Sequence, residues 1–498
     1  MLRMSSRRFQ AWLLPVLSGL CAATATAEVL VPPGDLRVRH DIDLLNDSRV
    51  IDVAATAWPI SWGEIHTALR SADQTTLTPN QIAAYDRLLS QSRYGLESDF
   101  LTVNVRAAVG QRLRFIRTFE NTPRDERELT AQLTWVGERF TVNIQGTLVD
   151  DSFDGDEFRP DGTYIGVALG NWMLTAGWQE RWWGPGRDGS LILGTNHRPA
   201  PGITLQRNNS IPFETRWLSW MGPWTFTTFM QHLDDSRVVD DALLFGVRGT
   251  IKPIKGLEIS LSRTAQWCGE DRPCRLETFG DLLLGRDNVG VNVDADDEPG
   301  NQLGGIDIRW SLPKGIPVTA YMQWIGEDGR QGGGAIGSWL RQLGLEFYGT
   351  AGGVSHRVHF EVSDTECRAG GFGFSEREPN CAYVHPIYNS GYQYNGKAIG
   401  HGMDGDGLSY SAGITLVQSA GHVWNISLRH MELNRQGSPQ PNHSVSPTAS
   451  DQSDIQITYE RQSRFGRFTL GAGYVDIDDR VNGVATSDTS LFVQWQSR

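Results

Sequence analysis

The chain has 498 residues, 39% of them hydrophobic, with 55 Gly, 22 Pro, 17 Trp and a formal net charge of −13. That apolar and Trp content excludes a disordered chain, and a mean hydropathy of −0.35 excludes a bundle of spanning helices, each of which needs about 20 apolar residues. Acidic residues outnumber a basic set that is almost entirely Arg, so the overall field opposes nucleic acid.

The first 27 residues have the make-up of a secretory signal peptide. Arg3, Arg7 and Arg8 precede an apolar run from Ala11 to Ala23, and Ala25-Thr26-Ala27 supplies small residues for cleavage after Ala27. A lipoprotein signal at Cys21 is the weaker reading, because Leu20 stands where a small residue is required. Cleavage removes three Arg and no acid, so the mature chain is more acidic still.

Residues 28–97 read as a small α-helical bundle. Asp35 to Leu45 is one helical segment. Ser61-Trp62-Gly63-Glu64 is a capping box that opens a second, with Trp62, Ile65 and Leu69 on one face. Thr78-Pro79-Asn80-Gln81 opens a third with Pro in its first turn, Ile82, Tyr85, Leu88 and Leu89 keep a period of 3.6, and Gly95 stops it.

From residue 98 to 498 the period is two. Leu101, Val103, Val105 and Ala107 alternate with Thr102, Asn104 and Arg106, and Leu129, Ala131, Leu133 and Trp135 with Thr130, Gln132 and Thr134. Later runs such as Leu491-Val493-Trp495 behave alike, each about as long as a tilted transmembrane strand. Short turns at Gly137-Glu138, Gly170-Asn171, Gly222-Pro223, 252–256, 313–316, 350–353, 419–421 and 462–466 alternate with longer polar stretches. The long stretches are 108–127, 150–162, 180–212, 233–241, 267–302, 327–339, 364–407, 434–452 and 478–488.

This alternation predicts a mainly-β fold: a large transmembrane antiparallel β-barrel of about 18 strands, with short periplasmic turns and long extracellular loops. An even strand count puts both ends on the periplasmic side, with the helical unit as a bundle or plug there. A soluble sandwich or barrel also alternates, but would need the one-sided loop lengths to arise by coincidence. Trp172, Trp178, Trp217, Trp220 and Trp224 near run ends suit an interfacial aromatic girdle.

No G-x-S-x-G elbow and no H-E-x-x-H helix is present, and the 11 His are scattered, so catalysis, a metal centre or a cofactor is not expected. In an oxidising compartment proximity favours two loop staples, Cys268–Cys274 and Cys367–Cys381, and no C-x-x-C spacing supports zinc. Acidic clusters at Asp150, Asp151, Asp154, Asp156 and Glu157, at Asp294, Asp296, Asp297 and Glu298, and at Asp404 and Asp406 read as solvated tips ahead of a shared Ca²⁺, since none completes an EF-hand loop. Trp182, Trp183, Tyr388, Tyr392 and Tyr394 lie in the long loops. Their flat rings suit the apolar face of a sugar, with Arg187, Asp404 and Asp406 for its hydroxyls, and they suit plain loop packing equally.

Three stretches resemble the Wzi family of capsule-assembly proteins. They are Leu30-Val31-Pro32-Pro33-Gly34-Asp35-Leu36-Arg37 followed by Trp58-Pro59-Ile60-Ser61; the run Arg181-Trp182-Trp183-Gly184-Pro185-Gly186-Arg187-Asp188-Gly189-Ser190-Leu191-Ile192-Leu193 with Asn196 and Arg198-Pro199; and Gly391-Tyr392 with Ile399-Gly400-His401 and Asp404-Gly405-Asp406. The cysteine pairs fall outside that pattern. The resemblance implies an outer-membrane barrel of a Gram-negative bacterium over a periplasmic helical bundle. It also implies a lectin-like, non-enzymatic role, binding and anchoring capsular or exported polysaccharide at the cell surface. The partners that follow are that exopolysaccharide, outer-membrane lipid and lipopolysaccharide, and the export machinery, for a monomer that binds no nucleic acid. The alternative is a porin or sugar-permeable channel, which a plugged base would disfavour.

Overall fold

The computed structural model describes residues 29–97, 99–284, 300–313, 315–327, 337–369, 376–435, 440 and 442–497. The expected signal peptide with Cys21, and the acidic run at Asp294 to Glu298, lie outside the described residues.

Three helices open the chain: α1 (Leu36–Asp47), α2 (Trp62–Arg70) and α3 (Pro79–Gly95). Asp35 caps α1 by accepting from the Val38 amide, and Ser61 caps α2 by accepting from Gly63 and Glu64. Thr78 and Gln81 close a reciprocal capping box on α3. Ile42, Leu45, Ile65, Leu69, Ala84 and Leu88 form their common core.

Eighteen antiparallel strands then close into one barrel. They begin with β1 (Phe100–Gln111), β2 (Arg127–Val136), β3 (Phe140–Asp150), β4 (Tyr164–Leu169), β5 (Trp172–Trp178) and β6 (Pro201–Arg207). Next come β7 (Trp224–His232), β8 (Leu243–Ile254), β9 (Leu257–Trp267), β10 (Gly300–Ser311), β11 (Val318–Glu327) and β12 (Ser338–Ala351). The last are β13 (Val354–Ala369), β14 (Leu408–Gln418), β15 (Val423–Leu433), β16 (Ser450–Ser463), β17 (Gly466–Asp479) and β18 (Val484–Gln496). The last strand pairs with the first, Leu491 opposite Gln111 and Gln496 opposite Arg106, which closes the barrel.

The two faces of the wall decide its solvent. Leu129, Ile144, Leu343, Phe360, Leu428 and Leu491 are exposed on the outside, while Thr130, Asn143, Gln342, Glu361, Arg429 and Gln494 on the same strands are buried inside. A soluble barrel has the reverse arrangement; apolar side chains turned outward suit a bilayer.

Three stretches differ from the sequence expectation. The strand expected just before Gly222-Pro223 lies earlier, as β6 inside the expected 180–212 loop, and residues 208–223 connect it to β7. Phe213 in that connection stacks on Trp224 at 4.6 Å and is better placed off the ladder, while Trp217 and Trp220 are exposed at the rim. The expected loop 478–488 shrinks to residues 480–483, because β17 and β18 keep pairing to Asp479 and Val484. Within the expected 267–302 loop a helix α4 (Leu276–Leu284) forms and packs Phe279 and Leu282 on Trp267 and Ala265.

The helical unit fills the end of the lumen that carries the short turns. Every residue of α1 after Leu36 is buried, charged ones included. Arg37 donates to the Gly421 carbonyl in the β14–β15 turn and pairs with Glu460. Arg49 donates to the Ser311 and Leu312 carbonyls after β10, Lys252 pairs with Asp52, and Glu64 accepts from the Ser210 amide at 2.6 Å.

Candidate functional site

Above α1 the long loop 179–200 folds into the lumen. Trp182 and Trp183 pair as a short antiparallel ladder with Trp58 and Ala57, and the Gly184 amide donates to the Thr56 carbonyl. The glycines of this motif answer to close approach: a Cβ on Gly189 would overlap the His401 ring, and one on Gly186 would overlap the Gly189 carbonyl. Glu361 of β13 gathers the backbone, accepting from the Arg187 amide at 2.8 Å and the Gly189 amide at 3.2 Å.

A dense ionic layer joins this loop, α1 and the wall. Asp47 accepts from Arg309 at 2.8 Å and from Arg357 at 2.6 Å, and Arg357 also binds Glu346 at 2.6 Å. Arg187 bridges Asp43 and Glu346. Burial alone would raise the Asp43 carboxyl, but Arg309, Arg187 and Arg357 outweigh it and hold it below its ordinary value. Buried charges persist in such a layer because each is paired.

The segment 376–407 forms the next layer outward. The Tyr383 hydroxyl donates to the Leu191 carbonyl at 2.6 Å, Tyr392 to the Ile192 carbonyl at 2.9 Å, and Tyr388 to the Cys268 carbonyl at 3.0 Å. Disulfides join Cys268 to Cys274 and Cys367 to Cys381, the second tying this segment to the end of β13. The lumen is thus occupied from the short-turn end outward by α1, the 179–200 loop and the 376–407 segment.

The eight residues singled out for sugar contact come together in these layers, but inward. Trp182, Trp183, Tyr388 and Tyr392 are each 1% exposed, so the packing reading describes them in this conformation: a ring without surface has no face to offer. Arg187 is spent on Asp43 and Glu346. Tyr394 is half-buried beside His197, and burial lifts its hydroxyl to about 12. Asp404 and Asp406 are buried rather than solvated. Asp404 accepts from the Ser444 amide at 2.7 Å, and Asp406 from Gln440 at 2.6 Å and the Asn380 amide, which clamps the 376–407 segment to its neighbour. Asp154 and Asp156 are likewise drawn into ion pairs with Arg198, and Asp154 also pairs with Arg159.

What the loops expose is different. Phe115 and Phe153 meet edge to face, with ring centroids 5.4 Å apart, and Lys397 lies over both rings. Sequence reasoning passed over these three. The available signal was faint: apolar rings alone in polar loops, and one of only four lysines.

Comparison with known proteins gives a consistent picture. The family model for capsule assembly protein Wzi matches residues 102–484. The chain is 31% identical over 425 residues to a Klebsiella pneumoniae protein described as an uncharacterized 55.8 kDa protein in the cps region, covering 84% of this chain and 80% of that one. It is also similar to a solved Escherichia coli structure, described as Wzi, an outer-membrane protein involved in group 1 capsule assembly and a carbohydrate-binding β-barrel. There the TM-score is 0.80 and the identity 27%, covering 94% of this chain and 98% of that one.

Proposed function

The chain belongs to the Wzi family of capsule assembly proteins and is an outer-membrane β-barrel, and on that premise we propose that it binds exported polysaccharide on the cell surface and anchors it there. The observation that carries this reading is the occupied lumen: with α1, the 179–200 loop and the 376–407 segment stacked inside the wall, the functional face is the loop surface. A polymer offers the same repeat many times, so modest affinity per repeat becomes firm retention through multivalency. In this reading Trp182, Trp183, Arg187, Tyr388, Tyr392, Asp404 and Asp406 form the frame that holds the binding loops, and half-buried Tyr394 stands at its edge.

The helical unit, residues 28–97, faces the periplasm, where the export machinery delivers the polymer, and the chain works as a monomer among outer-membrane lipid and lipopolysaccharide. The family is one of capsule assembly and not an enzyme class, and the role is accordingly one of binding without turnover. The test is deletion of the gene with measurement of polysaccharide shed into the medium. Increased shedding is expected, restored by the intact gene; unchanged retention would overturn the reading. The porin alternative predicts large steady conductance in planar bilayers from the intact protein, and the stacked layers speak against it.

A further inference from the structure

Resting on the polysaccharide-binding reading, we propose that Phe115, Phe153 and Lys397 form a subsite on the outer loops for an acidic sugar, one that carries a carboxylate. Phe115 and Phe153 come from different loops, and they are 37% and 59% exposed, so both keep surface for a ligand. The Lys397 ammonium lies over the Phe115 ring, 2.8 Å from its centroid, and the surface that Phe153, the more exposed ring, keeps beside it suits the C–H side of a pyranose. The Lys397 ammonium stands 4.5 Å from the Phe153 centroid and donates to the Phe115 carbonyl at 3.2 Å. Among the described residues it forms no ion pair with a carboxylate.

Its surroundings explain what is missing. Arg117, close by, donates to the Thr122 carbonyl and Asn121 and also forms no ion pair among the described residues. Arg124 is bound to Glu180 and to the Thr195, Asn196 and His197 carbonyls. The two acids near Lys397 are already engaged, Asp125 by Arg159 and Asp154 by Arg159 and Arg198. The result is a spot short of negative charge on a chain of net charge −13. Burial, and then Arg124 and Arg117, hold the Lys397 ammonium down to about 6 against the pull of Asp125 and Asp154. The two rings do not restore that charge; a sugar carboxylate would, by a charge-assisted hydrogen bond. Binding therefore takes up a proton on Lys397, and affinity falls as pH rises above about 6.

The test titrates the purified full chain with two probes. One is the exopolysaccharide of the strain that carries the gene, and the other is the same polymer after carbodiimide and borohydride have reduced its carboxyls to alcohols. Expected is about tenfold tighter binding of the native polymer, the size of one charge-assisted hydrogen bond. Lys397→Met should abolish that preference and flatten the pH dependence, Lys397→Arg should keep the preference, and Phe153→Ala should weaken both polymers alike. Equal binding of the two polymers, a preference that survives Lys397→Met, or a native polymer without acidic groups would overturn the subsite and leave anchoring intact. No binding of either polymer by the unaltered protein would overturn the anchoring reading itself.

Discussion

At the base of the lumen Asp43, Asp47 and Glu346 face Arg187, Arg309 and Arg357, all six buried and balanced in charge; at the outer loops Lys397 stands near Arg117 and Arg124 with no carboxylate of its own among the described residues. The aromatic residues divide in the same way: Trp182, Trp183, Tyr388 and Tyr392 are sealed inside, while Phe115 and Phe153 stay partly exposed. The same residue types therefore do two jobs. Where groups are satisfied and buried they hold layers together, and where they are left incomplete at the surface they are available to a ligand.

The sharpest way to break this division is Trp182→Ala with Trp183→Ala. Truncating a fully buried Trp costs about 3–5 kcal/mol each, so the melting temperature should fall steeply and glycan binding should go with it. Lost binding at an unchanged melting temperature would return these rings to direct sugar contact. Asp47→Ala comes next: it leaves Arg309 and Arg357 without that carboxylate, a loss of about 3–5 kcal/mol. Because the damage lies where α1 meets the wall, planar bilayers should show intermittent conductance from the variant and none from the intact protein.

Acidification should probe the outer layers more gently. Burial holds His401 down to about 4, and burial with Arg124 and Arg181 holds His197 down to about 3. The unfolded chain takes up these protons near its ordinary pKa of about 6.5. The stability these neutral rings contribute is thus complete above that value and is lost as pH falls toward 4, on the order of 1–2 kcal/mol per ring by pH 5. Melting curves between pH 7 and 4 should show the loss, and His401→Gln should reduce it. The smallest effect belongs to the solvated pair Arg112–Asp488, with side chains 58% and 51% exposed. Arg112→Ala should change stability by under about 1 kcal/mol, and a larger shift in melting temperature would show that the outer rim is less independent of the core than its exposure indicates.

Much of the fold was legible because a barrel wall is a local code. Alternation at period two reports which face of each strand meets lipid, so most of the eighteen strands and most of the turns follow from patterns such as Leu101/Thr102 or Leu129/Thr130 without any long-range information. The caps at Ser61 and Thr78 were equally local. The errors arose where tertiary partners override the pattern. Phe213 and Trp217 have the look of a strand, yet the ladder ran through Pro201–Arg207, whose neighbours on β5 and β7 were in register for it. The hairpin of β17 and β18 ran on past the expected loop because pairing between neighbours, which no single strand reveals, continued. For the site, the motif around Trp182 was visible, but whether its rings faced outward or inward was not.

By itself the sequence determined the barrel, the helical unit before it and the cysteine spacing, because each is written in short-range periodicity or proximity along the chain. Only the tertiary structure decided what the loops do. Residues 179–200 turn into the lumen because Glu361, Gln323 and Gln342 on the wall offer partners to their backbone, and residues 376–407 because Glu327 accepts from the Tyr383 amide and Gln266 donates to the Gly391 carbonyl; a buried peptide group must find such partners. That inward turn hides the rings the motif advertises, and it leaves Phe115, Phe153 and Lys397, from loops far apart in sequence, side by side on the outer surface.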